Sequence, residues 1–382
     1  MTALHRKLWR DLRALRGQVI AIALVMIGGI GTMVLAQSNY GALAGTRALY
    51  YAEYRFAEVF AHSKRAPLPL LESVRAIPGV REAEARVTGL VTLEVAGYDE
   101  PITGQMISLP GPDGPGLNGL FLREGSLPSS DDGVVIGEAF AEAHGLRPGA
   151  ALIAILNGRR RALSISGIGL SPEFVYQIRP GDVFPDFARF GVLWMPREPL
   201  AMAFDMDGAF NDLSLTLTRQ AREDDVIDAL DGLLAPYGGV GAHGRDLQLS
   251  HRFLDAELDE LRVMTQMFTA IFLGVTAFLL NVVIGRLVTA QREQIAVLKA
   301  FGYSRFEVGL HYAQLVLMMV IAGVPLGLGF GAWAGRMVAD IYMDFFRFPY
   351  LAWSLEPRVI ALAFGFALAA AVLGTAGGLR RA

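Results

Sequence analysis

Four stretches of about twenty residues lack Asp, Glu, Lys and Arg, and each is long enough for a helix to cross roughly 30 Å of hydrocarbon. They are Gly17 to Ala36, Val263 to Gly285, Tyr312 to Gly335 and Val359 to Leu379. Hydrocarbon offers no partner to a backbone N–H or C=O, so each stretch that crosses must be helical. A composition of 53% hydrophobic and 19% charged residues is unusual for a soluble chain of 382 residues. The reading is a membrane protein: four transmembrane α-helices with a large α+β extracytoplasmic domain inserted between helices 1 and 2.

Basic residues set the orientation, because cytoplasmic flanks carry the excess of Lys and Arg. Arg6, Lys7, Arg10, Arg13 and Arg16 precede the first span, Arg286, Arg292, Lys299 and Arg305 follow the second, and Arg380 and Arg381 end the chain. Between spans three and four, Arg336, Arg347 and Arg358 are offset by Asp340, Asp344 and Glu356, so this loop is the least decisive. The expected layout starts with a cytoplasmic segment (1–16), a first span (17–37) and an extracytoplasmic domain with stalk helices (38–262). A second span (263–287), a cytoplasmic coupling segment (288–308), a third span (309–335), an extracytoplasmic loop (336–358), a fourth span (359–379) and a cytoplasmic tail (380–382) follow. The first apolar run is longer than a signal-peptide core and lacks an A-x-A cleavage site, so it is read as a retained anchor. The expected location is the inner or plasma membrane, multi-pass, with both termini cytoplasmic.

The long insertion mixes helical and strand patterns. "PLLESVRAIPGV" reads as a short helix ending at Pro78-Gly79, "RVTGLVTLEVAG" alternates like a strand pair, and "GVVIGEAFAEAHGLRPG" is a strand followed by a helix stopped at Gly145. In "ALIAILNGRRRALSISGIG", Asn157-Gly158 between two β-like runs specifies a two-residue type I′ hairpin. "NDLSLTLT" is a strand and "AREDDVIDALDGLLAPYGG" a helix with acids in its first turn. The hairpin-rich middle between two helix-bearing ends predicts two lobes. At the membrane junctions, the aromatic-rich run after Ala36 and "LQLSHRFLDAELDELRVM", with Leu247, Leu254, Leu258 and Leu261 at roughly helical spacing, both read as helices. They serve either as a stalk or as helices packed on the outer domain.

"AQREQIAVLKAFGYSRFEVG", residues 290–309, is charged and lies between two apolar spans. Ile295, Leu298 and Phe301 lie three apart as a short apolar stripe, with Arg292, Glu293, Gln294 and Lys299 on other faces. Gly302 can end the helix with positive φ. Ser304 and Glu307 match the capping box of a new helix. A helix, a corner and a second helix are predicted, with the stripe exposed for docking into a partner's groove.

"REQIAVLKAFGYSRFEVGLHY", Arg292 to Tyr312, together with the order of one span, a large outer domain and three more spans, resembles the FtsX/MacB-type permeases of ABC transporters. "IPGV" (Ile77 to Val80) and "VVIGEAFAEAHGLRPGAAL" (Val134 to Leu152) are similar to pieces of the MacB-like outer domain. The resemblance implies a permease subunit whose cytoplasmic segment meets a separate ABC ATPase through Arg292, Glu293, Ile295, Leu298, Lys299, Ala300 and Gly302. It implies mechanotransmission to the outer domain for export or extraction of a lipid, lipoprotein, peptide or drug. Relatives carry further spans where this chain stops at Ala382, so a half-size subunit and a truncated longer one both fit. The implied partners are the ATPase, a second permease chain (most simply a homodimer), membrane lipids and optionally an extracytoplasmic adaptor, with no nucleic acid. The other reading is a membrane-anchored sensor or scaffold that regulates an outer partner such as a cell-wall hydrolase.

In the third span Gly323, Gly327, Gly331 and Gly335 recur every four residues as a ridge for close helix packing, within one subunit or across a dimer. Pro325 is a candidate kink in the same span. The only lysines are Lys7, Lys64 and Lys299, and none lies in a phosphate-cradling G-x-x-x-x-G-K-[ST] loop. ATP hydrolysis is therefore expected on another subunit. Cysteine is absent, the six His residues are scattered, and Asp205 and Asp207 fall short of a calcium loop. Gly239, Gly241 and Gly244 match G-x-G-x-x-G but follow a helix, not a strand, and "NGRRRA" (Asn157 to Ala162) fits a solvated hairpin edge. The apolar spans hold only Asn281 as a notable polar group, which argues against ion coupling or intramembrane catalysis. No catalytic residue, metal or cofactor is expected on this chain.

Overall fold

The computed structural model describes residues 16–110 and 116–379. The basic flank Arg6, Lys7, Arg10 and Arg13 and the tail Arg380 and Arg381 lie outside the described residues. The chain divides into two units: a helical one (1–45, 258–342 and 351–382) and an α+β one (46–257 and 343–350).

Helix α1 (Arg16–Glu53) leads into β1 (Val59–Pro67), α2 (Leu70–Arg75) and β2 (Val80–Arg86). The middle of the chain supplies β3 (Thr88–Val95), β4 (Tyr98–Ser108), β5 (Phe121–Gly125), β6 (Gly133–Gly137), α3 (Glu138–His144), β7 (Ala151–Leu156), β8 (Arg159–Leu170), β9 (Phe190–Met195) and α4 (Arg197–Ala203). Then follow β10 (Ala209–Leu217), α5 (Glu223–Leu234), β11 (His243–Gly244) and four helices, α6 (Leu249–Ala290), α7 (Arg292–Ala300), α8 (Arg305–Phe345) and α9 (Pro357–Leu379).

The α+β unit holds two sheets, matching the two lobes expected. Chain ends of the insertion build a four-stranded antiparallel sheet, β11-β1-β10-β2, covered by α2 and α5. Its core joins Val59, Phe210, Leu213 and Leu215 to Val226 and Leu230 of α5. The middle builds a seven-stranded sheet, β5-β8-β6-β9-β4-β3-β7, which β7–β8 pairing closes into a barrel with β5 attached outside. Closure removes the edges that an open sheet would leave unpaired. Alternation decides the inward face: Val91, Leu93 and Val95 of β3 are buried, while Leu90, Thr92 and Glu94 are exposed. "RVTGLVTLEVAG" is thus one strand, whose partner β4 follows after the turn at Gly97.

Local turn chemistry accounts for several boundaries. Asn157 and Gly158 both have positive φ, 46° and 76°, and bring Leu156 opposite Arg159. Gly145, at φ 62°, ends α3 with its N–H on Glu142 O and that of Leu146 on Ala141 O. This paired arrangement satisfies the helix's last carbonyls.

A buried charge network ties the two sheets together. The Arg86 guanidinium donates from Nε to Asp212 Oδ1 at 2.6 Å and from both terminal nitrogens to Glu173 at 2.7 and 3.0 Å. Asp212 sits on β10, whereas Glu173 lies in the short turn after β8. His62 Nδ1 is 2.9 Å from Asp212 Oδ2, and Asn118 Nδ2 donates to Glu173 and Ser214. Burial alone would push the Asp212 carboxyl up, yet Arg86 and His62 outweigh it and hold it below its usual range. Replacing Arg86 by Ala takes the shared guanidinium from two carboxylates, Asp212 and Glu173, and leaves Asp212 with His62, so Arg86→Ala is expected to cost about 3–5 kcal/mol. Chemical denaturation of the variant beside the parent chain measures this, and a loss under about 1 kcal/mol contradicts it.

Candidate functional site

In the helical unit, α1 and α8 meet through the glycine ridge. A Cβ at Gly323 would lie 2.9 Å from Met26 Cβ, at Gly327 2.8 Å from Ile30 Cβ, at Gly331 2.6 Å from Gly31 O, and at Gly335 3.0 Å from Ser38 Oγ. Only glycine permits so close an approach, and dispersion at this range takes the place of a hydrophobic driving force. The ridge is therefore occupied by the chain's own first helix and not left for a second copy. Met26, Ile30 and Val34 of α1 share a core with Val324, Val359 and Phe366. Pro325 lies inside α8, which continues through it as one helix. Among the described residues, Val19–Glu53 and Leu249–Ala290 are long and apolar enough to cross a membrane, and Pro357–Leu373 is a shorter apolar stretch.

The charged segment forms a helix, a corner and a second helix. The Gly302 N–H donates to Lys299 O as Gly302 takes φ 90°. Ser304 Oγ accepts from the Glu307 N–H at 3.2 Å, and Glu307 Oε2 accepts from the Ser304 N–H at 2.8 Å. These two bonds are a reciprocal capping box. They also hold the Glu307 carboxyl below its usual range.

Arg292, Glu293, Lys299, Ala300 and Gly302 are exposed on this corner. Ile295 is not: it is 6% exposed and packs in the helical unit's own core. The reason is angular, since a spacing of three residues drifts about 60° per step, leaving Phe301 about 120° from Ile295. Val297 and Phe301, four apart, share a side and are 53% and 79% exposed. The side chain of Leu298 lies outside the described residues. Exposed apolar surface here thus belongs to Val297 and Phe301, and Val297 escaped the sequence reading because a three-residue stripe was followed instead of a four-residue one.

Within the α+β unit, the end of α1 and the start of α6 are bound to each other. Arg47 forms an ion pair with Asp255 at 2.6 Å, and the Tyr51 hydroxyl lies 3.2 Å from His251 Nδ1. The Arg245 guanidinium stacks 4.9 Å from the Phe56 ring, and Ser250 Oγ accepts from the Tyr176 N–H. Burial, reinforced by Arg47, pushes His251 down to about 4.

The segment between α8 and α9 packs into the same unit. Phe346 and Phe348 are 2% and 1% exposed. The Arg347 N–H donates to Val175 O, and its guanidinium pairs with Glu142 at 2.6 Å and lies 5.0 Å from the Phe187 ring. Arg123 donates to Pro349 O at 2.9 Å, and the Tyr350 hydroxyl donates to Glu53. Counting charges gave no reason to single out this loop. Its signal was the aromatic run Phe345, Phe346, Phe348 and Tyr350, too apolar for a solvated connection.

Residues 266–382 match the model of the FtsX-like permease C-terminal domain. This part of the chain belongs to the FtsX-like permease family. Proteins of that family are membrane-embedded transport components. The periplasmic region of MacB from Actinobacillus actinomycetemcomitans is similar at 12% identity, covering 50% of this chain and 89% of that one, with a TM-score of 0.34. The extracellular domain of the noncanonic ABC-type transporter YknZ from Gram-positive bacteria is similar at 13% identity, covering 49% and 98%, with a TM-score of 0.34. A domain of a putative permease protein from Porphyromonas gingivalis is similar at 15% identity, covering 50% and 90%, with a TM-score of 0.31. No curated protein matches this chain.

Two outcomes follow from this geometry. Gly331→Leu drives a side chain into the Gly31 carbonyl and Val34, so it should lower the melting temperature of the chain in detergent without changing its oligomeric state. Loss of a dimer at an unchanged melting temperature would place the ridge between copies. The second concerns His251, which is neutral in the fold and protonates more readily once unfolded. Its contribution is full above its ordinary value of about 6.5 and is lost as pH falls toward 4. Thermal unfolding of the full chain in detergent should therefore fall less steeply between pH 7 and pH 5 for His251→Gln than for the parent, and equal slopes contradict the assignment. His62, raised chiefly by its hydrogen bond to Asp212, stabilises in the opposite sense and is common to both proteins.

Proposed function

We propose that the chain is the transmembrane subunit of an ABC transporter, with four spans, both termini cytoplasmic and its α+β domain outside. Residues 292–302 receive force from an ATPase on a separate polypeptide. The helices α1 and α6 carry it to the α+β domain, which acts on a lipid, lipoprotein, peptide or drug to be exported or extracted. ATP is bound and hydrolysed by the partner, and two permease chains, most simply a homodimer, complete the assembly.

The observation that supports this best is the capped corner between α6 and α8. A capping box and a glycine stop fix the direction of α7, while Glu293, Lys299, Val297 and Phe301 face outward. An apolar pair ringed by charge is the composition of a docking surface: aromatic anchors carry the affinity and rim charges the orientation. Force applied there enters α6 and α8 without a flexible linker, because single residues or short turns separate the helices.

Phe301→Asp and Glu293→Arg should each leave membrane insertion intact. Loss of an anchor worth about 2 kcal/mol should reduce the ATPase copurified with the permease by about 30-fold. ATPase retained at the parent level by both variants contradicts the coupling surface.

A further inference from the structure

Where the two sheets of the α+β unit adjoin, the wall opens into a cavity of about 880 Å³. Its size lies within the roughly 300–1,000 Å³ common for sites that enclose small organic molecules. Much of the wall is apolar: Ile107, Leu109, Leu120, Leu122, Trp194 and Pro199.

The charges on the wall are unequally satisfied. Arg55 is paired with Glu82, and Arg86 is held by Asp212 and Glu173, so these two guanidiniums are neutralised from behind. Four lining carboxylates, Glu53, Glu84, Asp131 and Glu198, have no Arg, Lys or His within ion-pair distance among the described residues. Glu53 accepts from the neutral Tyr350 hydroxyl, and one oxygen of Glu84 accepts from the Leu117 N–H. The remaining lining cation, Arg197, donates to the carbonyls of Ala85 and Ala209. Burial raises the Glu84 carboxyl above its usual range, although Arg86 and the Leu117 N–H pull it the other way. The cavity therefore joins an apolar wall to an excess of carboxylate, a combination that favours one ligand chemistry and disfavours anions.

We propose that this cavity binds an apolar organic cation, an amine carried on an aromatic or hydrocarbon body of small-molecule size. The hydrocarbon part lies against the leucines and Trp194, and the ammonium is held by Glu84 with Glu198 and Asp131 adding attraction. The proposal rests on the cavity alone and does not depend on the transport reading.

The test uses the full chain in phosphatidylcholine nanodiscs and dansylcadaverine, a dansyl ring on an alkyl amine. Dansylamide, which lacks the amine, is the neutral comparison, and empty nanodiscs measure uptake by lipid. Saturable energy transfer from tryptophan to dansylcadaverine should appear and should fall in Trp194→Phe. A charge-assisted contact of the usual strength makes the Kd of Glu84→Gln about tenfold weaker or more, while dansylamide changes little. Glu198→Gln, at an exposed position, should weaken binding in the same direction without altering the melting temperature, which keeps the test valid should Glu84→Gln misfold. Equal binding of dansylamide, unchanged Kd in Glu198→Gln, or a signal matched by empty nanodiscs overturns the proposal.

Discussion

Three helices contribute residues to both units: α1, α6 and α8 each run without a break past the boundary that divides the helical from the α+β part of the chain. A helix interior leaves no backbone group unpaired, so bending it sharply means breaking i→i−4 bonds or inserting a special residue. Continuity therefore makes α1 and α6 stiff elements, whereas Pro325 leaves one such bond unmade within α8. Along the chain, α1 leads into the α+β unit, α6 leads out of it, and the capped corner joins α6 to α8.

Different chemistry secures each end. Among the apolar helices, glycine lets the backbones of α1 and α8 approach to contact, so their relative position is set by shape. In the α+β unit the same helices are held by polar pairs and rings: Arg47 on Asp255, Tyr51 beside His251, and Phe346 and Phe348 buried after the end of α8. A loop that looked like a passive connection is thus a third attachment of chain to domain. Arg347, which contributed to its ambiguous charge balance, pairs with Glu142 and is not left to solvent.

Features governed by neighbours along the chain were legible from the residues alone. The Asn157-Gly158 turn, the Gly145 stop, the Gly302 stop and the Ser304–Glu307 box all depend on interactions spanning a few positions. Apolar length likewise announced the long helices, and hairpin spacing announced the separation into two sheets. What escaped was decided across sequence distance. Arg86 meets Asp212 only because β2 pairs with β10, and the barrel closes only because β7 finds both β3 and β8. Ile295 was misplaced for a simpler reason: three-residue spacing alone does not say which side of a short helix meets the core. The carboxylate-lined cavity left no trace in the sequence, since Glu53, Glu84, Asp131 and Glu198 are far apart and each is unremarkable in isolation.

The proposed function puts the corner near Gly302 and the α+β domain on opposite sides of one membrane. Single cysteines at Ser304 and at Val183, both exposed and placed on the naturally thiol-free chain, can be labelled with a membrane-impermeant maleimide in intact cells. The account predicts that Val183→Cys labels at once and Ser304→Cys labels only after the membrane is permeabilised. Labelling of Ser304→Cys in intact cells as fast as Val183→Cys would contradict it.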